Sequence, residues 1–252
     1  MGGAARSVLL ALIVGIGLVA FLGIRPNQPW ILWLIGGLAA LSTDGIIRSH
    51  PRWDAHDLTA TASHLFLPAV AVLGSGFFID HAIDGYARPI AALVPTVAVG
   101  FIAYGEYQTV DFGARGYGSV RLALAVATYL AAFAAYTVIF TNHVSVVTGA
   151  IYAGIVSFLL AIELLRESRQ FGSSSALVGL AIGLSLAELR LALYFFPLDG
   201  LLAGALLIIG FYLATGIVHH LLDHDLEWAT TAEYLIVAAV GTAAVVVTRV
   251  AV

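Results

Sequence analysis

AELRLALYFFPLDG (Ala187–Gly200), LLAGALLIIGFYLATGI (Leu201–Ile217) and VHHLLDHDLEW (Val218–Trp228) follow one another without a gap, and their reading decides the fold. An apolar run holding Glu188 and Arg190 ends at the turn Pro197-Leu-Asp-Gly200. A second apolar run then crosses back and finishes in three histidines set among acids. A helix needs about 20 apolar residues to cross the hydrocarbon layer of a bilayer. Two such runs joined by turn chemistry read as a pair of antiparallel membrane helices.

Working outward, the same reading gives nine spans over 7–24, 29–47, 62–83, 89–105, 119–140, 145–167, 175–195, 200–221 and 231–251. The expected fold is an all-α polytopic integral membrane bundle, a single transmembrane domain over 1–252. Helices satisfy their own backbone in lipid, and none of these runs alternates as a barrel strand would. Thr141-Asn-His-Val is the weakest break, and fusion there would leave eight spans. The first run follows Arg6 and is longer than the apolar core of a signal peptide, with no small-x-small site after it, so it reads as a retained helix.

Composition agrees. The 252 residues are 61% hydrophobic and 10% charged, with net charge −4, against roughly a quarter charged in soluble domains. Cysteine is absent, which excludes disulfides and thiolate sites. Lysine is absent as well, so no retinal Schiff base, Walker lysine or pyridoxal lysine exists. Dispersed arginines give no footprint for nucleic acid. Membrane lipids are the expected partners, with other membrane subunits or a second copy of the chain beside them.

Alternation of nine spans puts Arg6, Arg48, Arg52, Arg115, Arg121, Arg166 and Arg169 on one side, and Arg25, Arg88 and Arg249 on the other. The positive-inside rule then predicts a cytoplasmic N-terminus in the plasma (inner) membrane. Ser7–Phe21 matches Ser119–Phe133 at nine of fifteen positions. Gly100-Phe101 and Gly210-Phe211 lie near the ends of the fourth span of each half. These matches suggest a parallel 4+4 repeat of units 1–112 and 113–228 with an extra helix over 229–252, an arrangement known in transporters.

Two polar clusters are candidates for chemistry. Glu188 and Arg190 are two positions apart, about 200° around a helix, so neither can answer the other. Ionisable groups at such depth face a partner or a cavity. Asp80, His81 and Asp84, at the matching end of the third span, are the expected partners in a solute- or proton-binding site, or in a packing clamp between Arg190 and Asp80. The second cluster holds His220, Asp223 and His224, with His219 and Glu227 beside them. His-x3-His with carboxylates suits a divalent metal, and Glu227 or Asp57 could then serve as base. No His-Glu-x-x-His motif is present, and a solvated helix end accounts for the same residues. Asp44 with Arg48 and Glu163 with Arg166 read as ion pairs one turn apart. Gly179-Leu-Ala-Ile-Gly183 reads as a helix-packing face.

Three functions fit these residues, in descending order. The first is a non-catalytic, transporter-like bundle that binds a solute or a proton. The second is a structural or accessory subunit of a larger membrane assembly that binds pigment or lipid. The third is a membrane-embedded metal-dependent enzyme. No catalytic residue is assigned, and the cofactor is left open, with a divalent ion or haem at the histidine cluster as the candidates.

Overall fold

The computed structural model describes residues 2–24, 26–53, 62–142, 144–166, 173–224 and 226–251. Arg25, His56, Asp57, His143 and Arg169 lie outside the described residues. The chain is 84% helical with no strand among the described residues, and it is a polytopic all-α bundle. Nine helices there are long and apolar enough to cross a membrane. They are formed by α1 (Gly3–Gly23), α2 (Pro29–Arg48), α3 (Ser63–Ala82), α4 (Ala87–Ala91) with α5 (Leu93–Gln108), α6 (Tyr117–Thr141), α7 (Val146–Leu165), α8 (Ser173–Leu193), α9 (Gly200–Asp223) and α10 (Trp228–Ala251).

Local chemistry explains the boundaries. Pro29 opens α2, where its missing N–H costs nothing. The fourth span is two helices because Pro95 cannot donate to the carbonyl of Ala91, and the ladder breaks at Ala92. The weak break at Thr141 is real. Ser145 caps α7 by accepting from the Thr148 amide at 3.2 Å. Asp199 likewise caps α9, accepting from Leu202 N–H at 2.7 Å. The fourth span runs to Gln108, further than the expected 105, and so takes Glu106 inside the helix.

The chain forms two compact units, Met1–Ala131 and Ala132–Val252, which divide within α6. This division falls later in the chain than the boundary expected for a repeat. In the first unit α2 lies along α3 and α1 lies along α5. Val14, Leu18, Phe21, Leu32, Leu67, Val72 and Val99 make its core. In the second unit α7 and α8 are the closest pair, and α9 carries α10. The α7–α8 pair crosses at two glycines: a Cβ built on Gly183 would stand 2.7 Å from the Gly154 carbonyl oxygen. Without side chains the two backbones touch, as small residues permit in lipid. Gly179 faces Ile162 and Phe158 across the same pair, so the GxxxG stretch is a packing face.

Buried hydroxyls turn back on their own helices. Ser7 donates to Gly3, Thr43 to Ala39, Thr128 to Leu124 and Thr215 to Phe211, each to the carbonyl four residues earlier. In hydrocarbon this satisfies those four donors, whereas the Thr137 hydroxyl is buried without a partner among the described residues.

Candidate functional site

At one end of the first unit α3 begins and α5 ends. His64 stands in the first turn of α3, and Glu106 in the last turn of α5. Their side chains meet inside the bundle: His64 Nδ1 is 2.6 Å from Glu106 Oε2, with the glutamate fully buried and the histidine nearly so. Trp53 covers the imidazole edge-on, with ring centroids 6.3 Å apart. His50 stands against Tyr107 one residue further along α5. Thr109 donates to the Glu106 carbonyl, and Asp111 just beyond holds Arg52 in an ion pair. Pro68 offers no N–H to the His64 carbonyl, so the turn carrying His64 has one helical bond fewer.

An imidazole and a carboxylate at this distance share one hydrogen bond in either of two forms, imidazolium with carboxylate or neutral imidazole with carboxylic acid. Histidine is the side chain whose ordinary titration range covers neutral pH. Both forms hold the same number of protons; with one proton fewer, a neutral imidazole donating Nδ1–H to the carboxylate keeps the same contact, inside a span where ionisable groups are rare.

The opposite end of the first unit carries Asp80, His81 and Asp84, the expected partners of Glu188 and Arg190. Arg88 gathers the two aspartates. Its guanidinium is 3.0 Å from Asp84 and 3.8 Å from Asp80, and it donates to the carbonyls of Asp80 and Ile83. His81 is exposed and donates from Nδ1 to the Phe77 carbonyl at 2.8 Å. The sequence reading had counted Arg88 only as a loop charge.

Glu188 and Arg190 belong to the second unit and lie on opposite faces of α8, as their spacing requires. Glu188 is exposed, while Arg190 is only 3% exposed. The guanidinium carbon sits 4.0 Å from the centre of the Phe140 ring. A Cβ built on Gly149 would lie 3.1 Å from Nη2, so a larger residue there would press the head group aside by a few tenths of an ångström. Nε and Nη1 are buried without a hydrogen-bond partner among the described residues. A ring face returns about 0.5–2 kcal/mol to a cation. That is less than the several kcal/mol needed to strip a guanidinium of water.

The histidine cluster takes a different form from the one expected. His220 and His224 do not share a helix face, because α9 ends at Asp223 and His224 is its left-handed cap at φ 57°. His219 approaches Asp223 at 3.5 Å, and His220 stands edge-on to Tyr234. Among the described residues no three His, Cys, Asp or Glu side chains come together as a metal-holding group. The two short-range ion pairs are formed, Asp44–Arg48 at 2.7 Å and Glu163–Arg166 at 3.1 Å. Glu163 is nearly fully buried, so the second pair belongs to the interior of its unit.

Sequence reading missed Glu106. The signal was a carboxylate directly after an apolar run, on the side of the bundle where alternation also places His64; ending the span at 105 hid it.

Residues 5–248 match the family described as "Protein of unknown function (DUF5656)", and the chain belongs to that family. No curated protein and no solved structure matches it.

Proposed function

We propose that this multi-pass membrane protein is a non-catalytic, transporter-like helix bundle whose proton-binding element is the His64–Glu106 pair. The observation that carries the reading is the 2.6 Å contact between an imidazole and a fully buried carboxylate at the meeting of α3 and α5. Glu188, Arg190, Asp80, His81 and Asp84 support a titrating role less well. Glu188 is exposed, Arg190 is packed on a ring, and the aspartates are held by Arg88. The proposed orientation keeps the N-terminus cytoplasmic in the plasma membrane, on the arginine balance given above.

Infrared difference spectroscopy on protein in proteoliposomes tests the reading. Stepping between about pH 5 and 8, where imidazole titrates, should produce a carboxyl or imidazole band that vanishes in folded Glu106→Gln. Vesicles loaded with a pH dye should also dissipate an imposed proton gradient faster with wild type than with that variant. Absence of any such band from wild type removes the proposal.

A second reading, an accessory subunit of a membrane assembly, is favoured by α10. Only 6% of its apolar window is buried, against 28–44% for the other spans, which leaves a helix face open to a neighbour. Mild solubilisation followed by chemical crosslinking at α10 would capture a partner if this reading holds.

A further inference from the structure

We propose that the second unit carries a binding site for a small monovalent anion, a halide such as chloride, where the Arg190 guanidinium packs against the first turn of α7. The first observation is the guanidinium itself. Arg190 is 3% exposed, and its Nε and Nη1 are buried without a hydrogen-bond partner among the described residues. The Phe140 ring lies over the head group, and a ring brings no counter-charge. Ionised side chains within a membrane span pair with an opposite charge or with backbone carbonyls. Those two nitrogens have neither among the described residues.

The second observation is what the head group packs against. A Cβ built on Gly149 would lie 3.1 Å from Nη2, 3.3 Å from Nε and 3.4 Å from Cζ, so the guanidinium rests on the backbone of the fourth residue of α7. That first turn is the positive end of a helix dipole, where anions are stabilised and cations are not. Thr148 N–H donates to Ser145 Oγ and Gly149 N–H to the Ser145 carbonyl. The amides of Val146 and Val147 come before the helical ladder begins and have no acceptor within it. The first turn of α7 contains no acid. The acids nearest along the chain to Arg190 are placed elsewhere: Glu188 is exposed on the opposite face of α8, and Asp199 is exposed and caps α9 through the Leu202 amide. A buried cation and a positive helix end are thus pressed together, an arrangement that an anion between them would stabilise.

Charge and size select the ligand. One full charge beside about half a charge from the helix end is answered by a single negative charge, and a second would itself be left buried and unpaired. The guanidinium is nearly sealed, so the ligand is small. The apolar furrow outside the α7–α8 pair offers no seat for a larger one, because Arg190 is not among the residues that line it. Arg190 is three residues from the end of α8, Gly149 three from the start of α7, and Phe140 one from the end of α6. The site therefore lies about one turn inside the ends of three helices, a short path for an ion entering from water. Guanidinium N–H groups would hold it there by charge-assisted bonds. The site belongs to the other unit from the His64–Glu106 pair, and it does not rest on the proton-binding reading.

The test uses the full chain in detergent micelles at constant ionic strength, with chloride replacing gluconate from about 1 to about 100 mM; an ion bound only by the folded state raises the thermal midpoint as its concentration passes Kd. Wild type should show that rise, and the chloride NMR line should broaden in its presence and sharpen again when bromide is added. Arg190→Gln should weaken the apparent affinity by about tenfold or more, the scale of one charge-assisted pair. Arg190→Lys should keep part of it. Wild type lacking either response overturns the proposal, as does a chloride response that survives Arg190→Gln. Acetate and inorganic phosphate test the class of anion. If either one raises the midpoint more than chloride and also displaces it, the site takes a carboxylate or phosphate solute and the halide assignment fails. Should Arg190→Gln not fold, crystals of wild type grown in bromide decide. An anomalous peak beside the Arg190 guanidinium supports the site, and peaks confined to other places refute it.

Discussion

Substitution of the three glycines on the α7–α8 crossing should separate them by what each meets, not by their sequence context. On Gly183 an added Cβ would lie 2.7 Å from the Gly154 carbonyl oxygen and 3.0 Å from the Phe158 Cβ. Carbon–oxygen contacts across helices settle near 3.3–3.6 Å, so Gly183→Ala must part the helices by roughly 0.6 Å. The obstacle is backbone and cannot rotate away. Overpacking of that kind costs about 1–3 kcal/mol, offset by up to about 1 kcal/mol for replacing glycine by alanine inside a helix. With the full offset a net loss of about 0–2 kcal/mol follows. On Gly154 the nearest atoms are the Gly183 oxygen at 3.1 Å and the Ala187 Cβ at 3.2 Å, a milder conflict that the propensity gain nearly cancels. Gly179 meets only the Ile162 Cγ1 at 3.3 Å and the Phe158 ring beyond it, ends of side chains that can yield. Gly179→Ala should therefore be neutral or stabilising by up to about 1 kcal/mol. Reversible unfolding in mixed micelles with increasing denaturing detergent, followed by far-UV circular dichroism, gives the three values on one scale. The expected order of stability is Gly179→Ala above Gly154→Ala above Gly183→Ala. If Gly183→Ala proves as stable as Gly179→Ala, the backbone contact does not hold this helix pair together.

In a double-mutant cycle, His64→Leu and Glu106→Gln should each destabilise by about 3–5 kcal/mol, as expected when one member of a buried pair is removed; strict additivity in the double variant would show that the two do not interact. Arg88→Gln withdraws charged donors from Asp80, Asp84 and two carbonyls. It should lower stability by about 1.5–3 kcal/mol, with partial recovery in Arg88→Lys, and an unchanged thermal midpoint would contradict this. Tyr136→Phe removes the buried bond to Ser157 Oγ at 2.6 Å, but Ser157 keeps its own bond to the Ala153 carbonyl. The expected cost is therefore only about 1 kcal/mol, and a loss several times larger in thermal unfolding would count against it. Because the chain has no cysteine, single cysteines at Ser49 and Tyr86 can be labelled in intact vesicles. A membrane-impermeant maleimide should reach them from opposite faces, and labelling of both from one face would refute the alternation of spans.

Much of the architecture was legible because hydrocarbon imposes a length and a polarity on every crossing. Ser7–Ile24 and Leu201–Ile217 could be nothing but spans once charge was so scarce. Ion pairs one turn apart, Asp44–Arg48 and Glu163–Arg166, were likewise set by helical geometry alone. That α9 ends at Asp223, with His224 as its left-handed cap, was not legible in the i,i+4 spacing of the histidines.

Local periodicity thus determined the class of the fold, the count of crossings and the contacts inside each helix, since these depend on neighbours along the chain. Which carboxylate meets which imidazole, and that Arg88 reaches both Asp80 and Asp84, depends on where the first-unit helices lie in space. That Arg190 settles on Phe140 depends likewise on the packing of α6, α7 and α8. Those choices are made by glycines and branched side chains fitting across helix pairs, contacts between residues dozens of positions apart that no spacing along the sequence encodes.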